Sequence, residues 1–362
     1  MKALIHRYLP LALGIVLIGQ GCVSVGGGPA TIGSAGMFVS TDNAESWRSI
    51  SLLPTTEGVR DISGSDVYKL ITDPQDPKAL YWATRADGYY FSYDEGRSWA
   101  RPLGSELQTG FVFGLTVDPR DKCTIYATNG IYTYKSVDCS RSWEEVYREG
   151  RPGVQVVAIL FKPNNPRIIF MATSNGDFLE SRDAGFSWRT LHRFNHDLRD
   201  IFVSPASPDT IFVTSRTEGL FRSTDGGRTW AALSLNMKDF PGAKEYRRFV
   251  AIPNARGHLY YASKFGLLRS TDNGDTWKEI SLITPAGVAQ IWGLSVNPDN
   301  EKEIYYTATI ENRSTMYKSA DGGETWTTNR LPSGQVPTMI HVLPKSTGET
   351  LLYLGFTVPP KQ

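Results

Sequence analysis

Seven residues spread along the chain have the types needed to hold an anion or a sugar: Lys69, Arg199, Tyr246, Arg247, Arg248, Trp292 and His341. Guanidinium forks engage carboxylates bidentately, and aromatic rings offer flat faces for stacking on sugars. Asp66, Asp200 and Glu245 lie near these cations in sequence and could equally be their neutralising partners. A second set, Asp42, Asp94, Asp138, Asp183, Asp225, Asp272 and Asp321, could be mistaken for catalytic carboxylates. Catalysis needs unlike groups converging on one point, so an aspartate recurring at even spacing is expected to serve structure. The five His are scattered, and Asp272-Asn-Gly-Asp275 is a turn with only a superficial likeness to a calcium loop, so neither metal nor cofactor is expected.

The elements that position these groups follow from a repeat. Octapeptides of the form STDGGRTW begin at Ser40, Ser92, Ser136, Ser181, Ser223, Ser270 and Ser319, and each ends on a tryptophan: Trp47, Trp99, Trp143, Trp188, Trp230, Trp277 and Trp326. From Ser40 to Ser319 is 279 residues over six intervals, a period of about 46, in the range of four-stranded propeller blades. Before each later copy come three apolar strands separated by Pro/Asp and Gly turns, and a fourth begins at the Trp. Within the octapeptide, Asp can accept N–H groups of its own turn, Gly supplies a left-handed conformation and Trp covers the turn. Ala44 and Ser140 stand in the glycine position, at a cost of roughly 1 kcal/mol each if the turn keeps positive φ.

The pattern Ser-x-Asp-x-Gly-x-Thr-Trp resembles the Asp-box, or bacterial neuraminidase repeat, family of β-propellers over residues 36–358. That resemblance implies an all-β, seven-bladed propeller of four-stranded antiparallel blades. It leaves activity open, because the family includes sialidases, xyloglucan-active glycosidases, sortilin-like receptors and photosystem II stability and assembly factors.

Ring closure is legible from the ends. The first box has one strand before it, GMFVS from Gly36, and two strands, in MIHVLP and TLLYLGFTV, follow the last box with none after them. Residues 338–358 are therefore expected to supply the inner half, and residues 36–52 the outer half, of one shared blade. Cys123 opens a second strand and Cys139 lies in the next octapeptide hairpin, so a disulfide between them is expected, worth roughly 3 kcal/mol.

Spacings divide the two faces of the ring. Turns between first and second strands are uniform, at 10 residues for Asp73 to Ala83 and 9 for Asp118 to Ala127. The opposite face varies, from 10 residues for Trp188 to Leu198 up to 20 for Trp47 to Val67. Binding loops are thus expected at 48–66, 231–246 and 308–315. Near the start of successive inner strands stand Tyr68, Phe113, Val157, Arg199, Arg247 and Trp292, each followed by Lys69, Gly114, Ala158, Asp200, Arg248 or Gly293. The small residues suit close packing at the centre, while the charged ones must reach solvent or pair.

Against the family's enzymes, Glu245-Tyr246-Arg247-Arg248 has the residue types of a sialidase site, but the arginine-isoleucine-proline signature is missing. Xyloglucan-active relatives usually use two propellers, and one is read here. The expectation is a non-catalytic binding or assembly propeller holding an envelope protein or glycan on its variable face, with glycoside hydrolase as the alternative.

The N-terminus reads as a targeting segment. Lys2 and Arg7 precede an apolar run from Leu9 to Ile18, too short to span a bilayer as a helix. Gly19 and Gly21 before Cys22 resemble a bacterial lipoprotein signal, although Gly19 replaces the usual leucine. The resemblance implies a signal at 1–21, lipidation at Cys22, a Gly-rich tether at 22–35 and anchoring of an exported protein to an envelope membrane, with plain secretion as the alternative. Residues 359–362 are a tail. With 38 Lys and Arg against 37 Asp and Glu, nucleic acid is not expected as a partner, and a monomer is.

Overall fold

The computed structural model describes residues 33–104, 106–345 and 349–358. The signal at 1–21, Cys22, most of the tether and the tail at 359–362 lie outside the described residues. The described chain forms a seven-bladed β-propeller of antiparallel blades.

Blade 1 combines the two ends. Met37–Ser40 pairs with Arg48–Ser49 on its outer side and with Thr350–Thr357 on its inner side, and Val336–Pro344 is innermost. Blade 2 consists of Lys69–Thr72, Leu80–Ala83 and Tyr89–Ser92, with its fourth position reduced to a bridge between Phe91 and Ala100. Blades 3 to 7 begin with the inner strands Gly114–Asp118, Val156–Phe161, Leu198–Ser204, Tyr246–Ala251 and Gln290–Val296.

Strands stack as blades because apolar side chains on both faces of each sheet need a neighbour. Among the described residues seven apolar clusters are found, one at each interface between adjacent blades. The cluster holding Tyr305 and Met316 of blade 7 with Phe38 and Leu352 of blade 1 closes the circle.

The octapeptides form self-contained hairpins. In each, the Asp Oδ1 accepts a hydrogen bond from the opening Ser Oγ at 2.7–2.9 Å. Another comes from the backbone N–H four residues on, at 2.8–2.9 Å. The hydroxyls of Ser46, Ser142 and Ser187, donating to the other carboxylate oxygen, and then these bonds hold Asp42, Asp138 and Asp183 at a pKa of about 2. Ala44 and Ser140 keep positive φ, 73° and 70°. Ser140 has a compensating role, since its Oγ accepts a bond from the buried Tyr89 hydroxyl at 2.7 Å. Cys123 and Cys139 are joined as a disulfide, with Cα atoms 4.0 Å apart.

All three of the expected loops contain regular structure. Residues 48–66 contain a hairpin of Leu52–Thr55 and Gly58–Asp61. Residues 308–315 are not a loop: the ladder continues through Ala308 with Thr315 to Ile310 with Arg313 and turns on Glu311 and Asn312, both at positive φ. Residues 231–246 carry a short 3-10 helix, Leu233–Met237.

Candidate functional site

The inner strands start with a shared irregularity. Register slips across Val157, Arg199, Arg247 and Trp292, so each is an extra residue bulged out of its ladder. The residue after the bulge returns to register opposite a small partner: Ala158 with Ala172, Asp200 with Thr214, Arg248 with Ala262 and Gly293 with Thr307. In blades 5, 6 and 7 the bulged residue and the one after it line the channel mouth; Val157 and Ala158 of blade 4 do not.

A cavity of about 530 Å³ opens there, lined from blades 1, 2, 5, 6 and 7. Its lining includes Lys69, Arg199, Tyr246, Arg247, Arg248 and Trp292. His341 is not among the lining residues. It lies two residues beyond Met339, and its Nε2 is enclosed without a partner, so burial pulls its pKa down to about 4. Sequence reasoning missed two lining cations, Arg85 and Arg216, which stand in the turns between second and third strands. Those turns were the visible signal, because both belong to the variable face.

Six cations therefore face one carboxylate, Asp200. Asp200 is already engaged: its Oδ2 lies 2.9 Å from Lys69 Nζ, with each side chain about a quarter exposed. Asp66 holds Arg85 at 3.1 Å and none of the cations named from the sequence. Glu245 does not serve the channel; its carboxylate pairs with Lys264 at 2.8 Å. Asp197, unnoticed in the sequence, takes Arg199 at 2.9 Å. Arg216 and Arg247 make no ion pair among the described residues. Arg248 donates to the carbonyls of Arg247 and Thr338, each at 2.8 Å, which carries its guanidinium from blade 6 to blade 1.

The electrostatics follow from enclosure. Desolvation alone disfavours the Lys69 ammonium, but Asp200 above all outweighs it and keeps the pKa above the ordinary lysine value. Desolvation pulls Arg248 below the ordinary arginine value. Burial, then the Asp200 carboxylate, pushes the Tyr246 phenol above its usual pKa, so this tyrosine is a neutral hydrogen-bonding group and not an activated nucleophile.

Rings frame the rim. Tyr68 meets Phe111 edge-on at 4.7 Å, Phe111 stacks on Phe113 at 3.8 Å, and Arg85 lies over the Tyr68 ring at 5.2 Å. Trp292 is fixed by donating from Nε1 to Thr309 Oγ1 at 2.8 Å. Ile71 and Phe202, two residues along their strands from Lys69 and Asp200, add apolar side chains to the lining.

Comparison with known proteins agrees with this architecture. A family model described as the DUF6242 beta propeller domain matches residues 204–355. A xyloglucanase of Paenibacillus sp is 26% identical over 236 residues, 54% of this chain and 23% of its own length. A probable oligoxyloglucan-reducing end-specific xyloglucanase of Neosartorya fischeri is 24% identical over 253 residues, 61% of this chain and 31% of its own length. The chain thus spans less than a third of the length of these relatives. Among solved structures, the GH74 enzyme of Niastella koreensis superposes with a TM-score of 0.62 at 20% identity, covering 81% of this chain and 51% of that one. YCF48 bound to D1 peptide superposes with a TM-score of 0.60 at 16% identity, covering 84% of this chain and 95% of that one. At these identities the structural likenesses define the fold, a seven-bladed propeller, and leave its chemistry to the site.

Proposed function

We propose that this chain is a non-catalytic binding propeller of the cell envelope, whose central mouth holds an anionic group of a protein or glycan partner. The observation that carries this reading is the charge of the mouth: six cations line it, and Asp200, Asp66 and Asp197 answer only three of them. Fixed cations on low-dielectric walls focus an attractive field on an entering anion. YCF48, a propeller of similar extent, is described as bound to a peptide, which supports a binding role for one ring by itself. Lipidation at Cys22 would hold such a protein on a membrane.

A glycoside hydrolase is the second reading, favoured by the xyloglucanases among the curated relatives. That chemistry uses two carboxylates roughly 5–9.5 Å apart, and the cavity lining supplies one. The purified full-length protein is expected to release no sugar from xyloglucan or sialosides, while envelope extracts yield a partner that Arg247→Gln fails to retain. Xyloglucan hydrolysis abolished by Asp200→Asn would replace the binding reading with the enzymatic one.

A further inference from the structure

We propose that the mouth is selective for a phosphate monoester dianion, taken between Arg216 of blade 5 and Arg247 and Arg248 of blade 6. This rests on the anion-binding reading above and narrows it to one ligand class.

Half of the lining cations are uncommitted. Of the six in the lining, Lys69, Arg85 and Arg199 are answered by Asp200, Asp66 and Asp197. Six less three leaves Arg216, Arg247 and Arg248, and all three belong to the same sector of the ring. A monocarboxylate would offset one of these charges. A phosphate monoester carries about −1.5 to −2 near neutral pH and three strong acceptor oxygens, which suits three guanidiniums better.

Arg248 is the best placed of the three. Its guanidinium has five N–H donors, and the carbonyls of Arg247 and Thr338 hold it in place while leaving donors free. The same two bonds fix its orientation before any ligand arrives, so less ordering is left to be done on binding.

Size and shape limit what enters. A cavity of about 530 Å³ falls in the range of small-molecule sites, so it admits a group the size of a phosphate ester. Tyr68 and Trp292, on the walls away from Arg216, present rings to the organic part of an ester.

Asp200 is a carboxylate facing the same space as the three arginines. Neutralising it removes a repulsion and frees Lys69, so Asp200→Asn should bind phosphate more tightly even though it weakens the fold. A purely structural role for the arginines predicts no such gain.

Isothermal titration of the purified full-length protein at low salt would use inorganic phosphate, phenyl phosphate and glucuronate. Inorganic phosphate and phenyl phosphate should bind, the latter more tightly if the rings contribute, and glucuronate at least tenfold more weakly. Arg216→Gln and Arg247→Gln, whose side chains brace no other element, should each weaken phosphate binding about tenfold, and Asp200→Asn should strengthen it severalfold. Glucuronate binding as tightly as phosphate would overturn the phosphate selectivity while leaving the anion-binding mouth intact. Binding of none of the three, or binding indifferent to Arg216, Arg247 and Asp200, would overturn both.

Discussion

Lys69 Nζ and Asp200 Oδ2 meet at 2.9 Å although their strands belong to blades 2 and 5, with blades 3 and 4 between them around the ring. The pair crosses the channel and leaves Phe113 and Val157 of blades 3 and 4 outside the cavity lining. It also engages Asp200, the one carboxylate among the described lining residues.

Breaking that pair from one side should leave a partly enclosed charge unanswered. Lys69→Met or Asp200→Asn alone should each cost about 2 kcal/mol in denaturant unfolding, and the double variant should regain at least half of the summed loss. Because the folded pKa of Lys69 is raised, the contribution is complete below the unfolded lysine value of about 10.4 and fades as pH climbs above it. The gap between wild type and Lys69→Met should therefore close only at strongly alkaline pH.

His341 supplies an acid-side counterpart. Its pKa falls from 6.5 to about 4 on burial, so between those values the unfolded chain takes a proton that the folded one refuses. Stability should decline as pH drops from 6.5 towards 4, by up to about 3 kcal/mol. His341→Leu should flatten this stretch of the stability profile measured by urea titration.

Two glycines test packing at opposite ends of a blade. A Cβ on Gly293 would lie 2.7 Å from Thr307 Oγ1, 2.9 Å from Ile340 Cγ2 and 3.2 Å from the Ile340 backbone nitrogen, forcing blade 7 away from blade 1. On Gly323, at φ 96°, a Cβ would lie 2.2 Å from Ile280 Cγ2. Each Gly→Ala change should cost about 2 kcal/mol or more in thermal unfolding. Only Gly293→Ala should also alter anion binding, since Gly293 lines the mouth.

Reduction of Cys123–Cys139, which closes a 16-residue separation, should lower stability by about 3 kcal/mol. The bridge joins an octapeptide hairpin to the first residues of the second strand of the same blade, on the face away from the mouth. Phosphate titration of reduced protein below its melting temperature should match that of the oxidised form.

What the sequence by itself determined is the part of this protein built from short-range chemistry. A Ser, an Asp and a small residue within eight positions specify each hairpin, so the octapeptides could be counted and the blades numbered. The unpaired strands at the two ends then required a shared blade, and 350–357 does pair with 37–40. The alternation of glycine with charge at the inner strands was also visible, because a ring's centre leaves room for few side chains. Only the tertiary structure decided which of those charges meet. Lys69 and Asp200 are 131 residues apart in the chain and come together because ring closure places their strands on facing walls. The same closure brought Arg85 and Arg216 to the mouth from turns of no distinctive composition, and sent Glu245 outward to Lys264. The bulges that turn Arg199, Arg247 and Trp292 inward left no compositional mark, since the same position holds valine in blade 4. Partners across a channel are set by the geometry of the whole circle, which no local pattern encodes.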